Sequence, residues 1–104
     1  MDVIERIKSQ LETHQVILYM KGSPDFPMCA GSDQVVRILR TCGETFTAVD
    51  ILEDEELCEA LKSYSNFPTY PQLYIKGQLI GGSEIIFDLF NKGELFILFA
   101  GIDR

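Results

Sequence analysis

The run Val16-Ile17-Leu18-Tyr19-Met20 is apolar at every position, and the chain then breaks at Gly22, Pro24 and Pro27 before reaching Cys29. A short apolar run bounded by turn residues is what a strand buried on both faces requires. Such a strand needs a packed layer on either side, which constrains the fold more than any other feature. Beyond the break, Val35, Val36, Leu39 and Cys42 recur at helical spacing from Ala30 to Cys42, and Gly43 is placed to end that helix. The segment therefore reads as strand, loop and helix, with Cys29 at the joint.

The same reasoning extends to the rest of the chain. Val3, Ile4, Ile7 and Leu11 share one face of a first helix, and Phe46 to Ile51 reads as a second strand. Asp54-Glu55-Glu56 puts acids in the first turn of a helix whose inward face is Leu57, Leu61 and Tyr64. Gln72-Leu73-Tyr74-Ile75 turns through Lys76-Gly77 into Gln78-Leu79-Ile80, a hairpin signal, and Gly81-Gly82 ends that strand. A helix with Ile85, Ile86, Leu89 and Phe90 inward follows, and a short final helix carries Leu95, Phe96, Leu98 and Phe99. The order is α-β-α-β-α-β-β-α-α. The first β-α-β pairs in parallel and the later hairpin adds antiparallel strands. This predicts an α/β, thioredoxin-like domain over residues 1–104, with a mixed four-stranded sheet and helices on both faces. At 46% hydrophobic residues, such a domain fills a core without disulfides or a structural metal.

Several function classes are disfavoured. No apolar run approaches the roughly 20 residues that cross a bilayer. The opening MDVIERIKSQLE carries charges at helical spacing without an apolar centre, unlike a secretory signal. The cysteines are Cys29, Cys42 and Cys58, an odd number that points to a reducing, cytoplasmic setting. None are spaced C-x-x-C, so neither a zinc knuckle nor a dithiol redox pair is present. The net charge of -7 argues against nucleic-acid binding.

Three segments can carry chemistry. Cys29 stands at a helix N-terminus, where unpaired N–H groups and the helix dipole favour an anion, and the thiolate is the reactive form of cysteine. Lys21 can return positive charge toward it, and Ser32 occupies the place of a resolving cysteine. An inert capping cysteine fits the position equally well. Phe67-Pro68-Thr69-Tyr70-Pro71 enters a strand through a proline, either as a simple strand start or as a cis bond that frees the Thr69 and Tyr70 backbone for an extended ligand. Gly81-Gly82-Ser83-Glu84 is a strand-to-helix turn that a ligand can approach closely. All three fall at one edge of the sheet, a favoured ligand position in open α/β folds.

Leu18-Tyr19-Met20-Lys21-Gly22-Ser23-Pro24, Cys29-x-x-Ser32, Val49-Asp50-Ile51-Leu52 and the stretch Leu61 to Tyr74, followed by Gly77 and Gly81-Gly82, resemble the monothiol glutaredoxins. The resemblance runs from about Val16 to Leu95. It implies that Cys29 ligates one iron of a [2Fe-2S] cluster, with glutathione supplying a second thiolate and a homodimer sharing the cluster. It also implies that Lys21 lies beside the glycine carboxylate of glutathione. Tyr70 would pair its backbone with the ligand's cysteine, next to Thr69 and cis-Pro71, while Gly82, Ser83 and Glu84 would hold the γ-glutamyl end. Apo iron-sulfur proteins and a BolA-type protein are the partners it implies.

The chain departs from that pattern at functional positions. The family's Cys-Gly-Phe-Ser reads here Cys29-Ala30-Gly31-Ser32, which removes apolar cover and loosens the first helical turn. The family's carboxylate-binding arginine is replaced by Cys58. A charge-assisted hydrogen bond contributes about 1.5–3 kcal/mol, so affinity would fall about tenfold or more. Lys62, one turn further on the same helix, offers a point charge instead. Ser83-Glu84 stands where Cys-Asp is common, and Phe67 replaces a tryptophan. Cys58 is either a reactive thiol or a neutral filler. Cys42, about 20 Å from Cys29 along the helix at roughly 1.5 Å per residue, reads as a core residue, and His14 as a helix cap.

Three functions remain open: a glutathione-dependent cluster-binding and transfer protein, a monothiol oxidoreductase acting on glutathione mixed disulfides, and a glutaredoxin-fold binding module that has lost glutathione. Glutathione affinity separates the first two from the third.

Overall fold

The computed structural model describes residues 2–102. Helix α1 spans Val3–Thr13, strand β1 Val16–Met20, helix α2 Ala30–Thr41 and strand β2 Thr47–Asp50. A 3-10 turn at Ile51–Glu53 leads into α3, Glu55–Ser65; β3, Gln72–Ile75, and β4, Gln78–Gly81, form the hairpin. Helices α4, Ser83–Asn91, and α5, Glu94–Ala100, complete the chain.

The sheet order is β2-β1-β3-β4, with β1 parallel to β2 and antiparallel to β3, and β3 antiparallel to β4. The central strand explains its own composition. Val16, Leu18 and Met20 pack among Val35, Leu39, Ile86 and Phe99, so one face lies under α2, α4 and α5. Ile17 and Tyr19 pack among Ile7, Leu11, Leu57 and Leu61, so the other lies under α1 and α3. Alternate side chains of β1 thus serve two cores, and all five residues are buried. Burying each large apolar side chain contributes roughly 1.5–3 kcal/mol.

Local signals end the elements where expected. Asp2 caps α1 by accepting from Glu5 N–H at 2.8 Å. Asp54 caps α3 by accepting from Leu57 N–H at 3.1 Å, and it also binds Arg6 of α1 at 2.6 Å, tying the two helices together. The hairpin turns through Lys76 and Gly77 at φ 53° and 77°, the left-handed pair that a two-residue turn of this hand needs. Among the described residues, no helix is long and apolar enough to cross a membrane.

Some expectations are corrected. The second strand covers Thr47–Asp50 rather than Phe46 to Ile51, because Asp50 Oδ1 accepts from Leu52 N–H at 3.0 Å and bends the chain into the 3-10 turn. Tyr64 is 41% exposed at a rim beside Leu11 and Gly77 rather than in the core. An amphipathic ring at the end of a short helix keeps its hydroxyl in water. Ile85 is 45% exposed, since it lies over Gly81 at a groove wall instead of pointing inward. Ile4 is 37% exposed, at the edge of the α1 stripe.

Candidate functional site

Cys29 is the N-cap residue of α2, with extended backbone. Its sulfur accepts from Ser32 N–H at 3.4 Å and lies 3.2 Å from Ser32 Oγ, to which the thiol donates. Ser32 is fully buried, and its hydroxyl oxygen accepts the Lys21 N–H at 3.1 Å. The end of β1 therefore fixes Ser32, and Ser32 fixes the sulfur. With Cys29 ionised, the hydroxyl reverses and donates to sulfur, so two donors converge on a thiolate. The first turn of α2 is regular in geometry, with Asp33 N–H bonded to Cys29 O at 3.0 Å. A Cβ at Gly31 would lie 3.1 Å from Pro71 Cδ and 3.2 Å from Ser83 Oγ. The turn thus approaches the other two loops closely, with little room for a side chain at Gly31.

The loop between β1 and α2 folds back tightly. Met28 N–H donates to Lys21 O at 2.9 Å, and Gly22 at φ 87° pairs with Pro27. A Cβ on Gly22 would meet Phe26 O at 2.5 Å, so only glycine fits there. Asp50 Oδ1 accepts the Gly22 N–H at 3.0 Å, anchoring the loop to the end of β2. Phe26 and Met28, just before the thiol, are 77% and 67% exposed.

Residues 67–71 form the second wall. The Tyr70–Pro71 bond is cis, the second of the two readings of that proline. Tyr70 makes no backbone hydrogen bond among the described residues. Its hydroxyl donates to Cys58 O at 2.6 Å. Burial, and then the neighbouring Cys58, push this phenol well above its ordinary value, so it stays a neutral donor.

The third wall is the start of α4. Gly82 is its N-cap and supplies no side-chain cap, which leaves the first-turn N–H groups to an external acceptor. A Cβ on Gly82 would press Phe67 Cζ at 3.1 Å, so this turn also depends on close approach.

Two grooves result. One, of about 330 Å³, is lined by Phe67, Thr69, Tyr70, Gly82, Ser83 and Glu84. The other, of about 360 Å³, is lined by Lys21, Leu52, Cys58, Lys62, Thr69 and Tyr70. Thr69 and Tyr70 are common to both. Lys21, Cys58, Lys62, Thr69, Tyr70, Gly82, Ser83 and Glu84 line these grooves; Pro71 is buried and lines neither, and Cys29, which also lines neither, is joined to Lys21 of the second groove through Ser32. Lys62 Nζ also contacts Glu59 Oε1 at 3.2 Å. Cys58 is half-buried at the groove wall.

Cys42 lies elsewhere, at the C-terminal cap of α2 against the core. Burial, then Glu44, push its thiol above the ordinary value. His14 caps α1, with Nδ1 3.1 Å from Thr47 Oγ1. Sequence reasoning passed over Gln72, which is fully buried and whose Nε2 donates to Phe67 O at 2.9 Å and Thr69 O at 3.3 Å. A lone amide opening an otherwise apolar strand was its only signal.

A family model described as Glutaredoxin matches residues 16–80. Glutaredoxin 4 of Escherichia coli (strain K12) is 45% identical over 92 residues, covering 88% of this chain and 80% of that protein. Monothiol glutaredoxin-S11 of Oryza sativa subsp. japonica is 50% identical over 91 residues, covering 88% of this chain and 18% of that protein. The solution structure of reduced poplar apo GrxS14 superposes with a TM-score of 0.83 at 41% identity, covering 94% of this chain and 90% of that one.

Proposed function

The chain belongs to the glutaredoxin family, in its monothiol class, and we propose that it binds glutathione across the two grooves and shares a [2Fe-2S] cluster with a second copy of itself. The observation that carries this reading is the Cys29 thiol, anchored by Ser32 at the N-terminus of α2 near two grooves that meet at Thr69–Tyr70.

Each part of glutathione has a matching feature. The γ-glutamyl carboxylate suits the uncapped N-terminus of α4 at Gly82 and Ser83, with Glu84 available to its ammonium. The central cysteine suits the unpaired Tyr70 backbone. The glycine carboxylate suits the second groove, where Lys21 and Lys62 supply charge and Cys58 supplies none. Helix N-termini and these lysines offset the repulsion between an anionic ligand and a chain of net charge -7.

The residues also fit a shared cluster. Of the three thiols, Cys29 is the one that stands at a helix N-terminus, and it offers a single sulfur to a metal. Two chains and two glutathiones supply four thiolates. The cluster is cargo, passed on to an apo iron-sulfur protein, with a BolA-type protein as a further partner in a reducing cytoplasm.

Ser32 at the resolving position favours one second reading. Cys29 attacks the glutathione sulfur of a mixed disulfide and expels the other thiolate. A second glutathione then attacks the Cys29 adduct, releasing glutathione disulfide and regenerating the thiolate.

Glutathione titration followed by amide shifts tests the binding step. Shifts at Thr69, Tyr70, Gly82 and Ser83 are expected. A chain that takes no glutathione is a binding module of another kind.

A further inference from the structure

Gln72 has no exposed surface and lines neither groove. It opens β3, whose other residues, Leu73, Tyr74 and Ile75, fill the two cores. An apolar side chain would suit that environment, because burying an amide without partners is costly. The amide is instead satisfied at both ends. Nε2 donates to Phe67 O at 2.9 Å and Thr69 O at 3.3 Å, and Oε1 accepts from Tyr74 OH at 3.1 Å. Tyr74 is itself held, its ring meeting Tyr19 edge-on with centroids 5.7 Å apart. On the far side of the loop, Ser65 Oγ accepts Phe67 N–H at 3.1 Å.

The two bonded carbonyls bracket Pro68 and lead directly into Tyr70. Thr69 and Tyr70 are the wall common to both grooves. Remove the amide, and Thr69 O loses its donor while Phe67 O keeps only Ser65 Oγ at 3.3 Å, so the Thr69 end of the loop is freed to turn toward another donor. Rotation there moves both grooves at once.

We infer that Gln72 is a positioning residue for glutathione: it fixes the Thr69–Tyr70 wall from behind and never touches the ligand. The inference rests on the glutathione reading above. It assigns recognition to a residue outside the grooves, reached through backbone carbonyls.

The test uses Gln72→Met, close in size but without a donor, and Tyr74→Phe, which frees the far end of the amide. Glutathione affinity is measured by calorimetry at a temperature where thermal scans show each protein folded. Amide hydrogen exchange is followed without ligand. Gln72→Met is expected to weaken glutathione about tenfold and to speed exchange at Thr69 and Tyr70, while β1 keeps its protection. If Gln72→Met does not fold, Tyr74→Phe decides, with a loss of about threefold expected. Affinity within about twofold of the unsubstituted protein overturns the inference, even where exchange is faster, since Gln72 would then be a structural brace alone. Failure of the unsubstituted chain to bind glutathione overturns the functional reading and this inference together. Binding that survives substitution overturns only the inference.

Discussion

The Ser32 hydroxyl oxygen lies 3.2 Å from the Cys29 sulfur and 3.1 Å from the Lys21 backbone nitrogen, so one buried atom joins the thiol to the end of the central strand. In a dithiol protein this position is the resolving cysteine. Here the hydroxyl orients the thiol and offers no second sulfur. Ser32→Ala removes the acceptor of a Lys21 N–H and leaves that donor without its partner. We expect a loss of about 1–3 kcal/mol, read from urea unfolding. Unchanged stability would mean that the Lys21–Ser32 bond contributes nothing.

Cys58 lines the same groove as Lys21 and Lys62. Cys58→Arg adds a fork-shaped cation there and should tighten glutathione by about 1–2 kcal/mol in calorimetry. The Tyr70 bond is to the Cys58 carbonyl and survives the change. An unaltered affinity would place the ligand's carboxylate elsewhere.

Gly31 lies where a Cβ would be 3.1 Å from Pro71 and 3.2 Å from Ser83. Gly31→Ala gains helix propensity, worth up to about 1 kcal/mol, but pushes two walls apart. Stability should change by less than about 1 kcal/mol while glutathione affinity falls several-fold. Tighter binding in Gly31→Ala would show that the walls have slack.

The hydrogen bond from Arg6, then that from Leu57 N–H, hold the Asp54 carboxyl below its ordinary value of 3.8. A group depressed in the folded state contributes stability above its unfolded value, and the contribution is lost as pH falls through the folded one. Thermal midpoints should therefore drop as acid is added below about pH 4. The drop should be shallower in Asp54→Asn, which keeps a capping oxygen but does not titrate. Equal slopes would remove Asp54 from the acid transition.

Much of this was legible in the chain. The uninterrupted apolarity of Val16–Met20 required cover on both sheet faces, and α1 with α3 and α2 with α4 and α5 provide it. Pro71 and the paired glycines Gly81 and Gly82 marked two site walls, because proline and glycine act on the backbone wherever they stand. What escaped depends on contacts distant in sequence. Gln72 carries no local signature, and its role exists only once Phe67 and Thr69 turn their carbonyls toward it. The close approach at Gly31 could not be read, since its neighbours Pro71 and Ser83 lie far along the chain. Tyr64 and Ile85 sat on plausible helical faces, but periodicity cannot say how far the opposing layer extends.

A cluster shared by two copies through Cys29 and glutathione is the core of the proposed function. Anaerobic reconstitution with iron, sulfide and glutathione, read by visible circular dichroism and gel filtration, tests it most directly. A chromophore that appears only with glutathione, elutes as a dimer, and is absent in Cys29→Ser is expected. A colourless monomer, or a chromophore retained by Cys29→Ser, would contradict it.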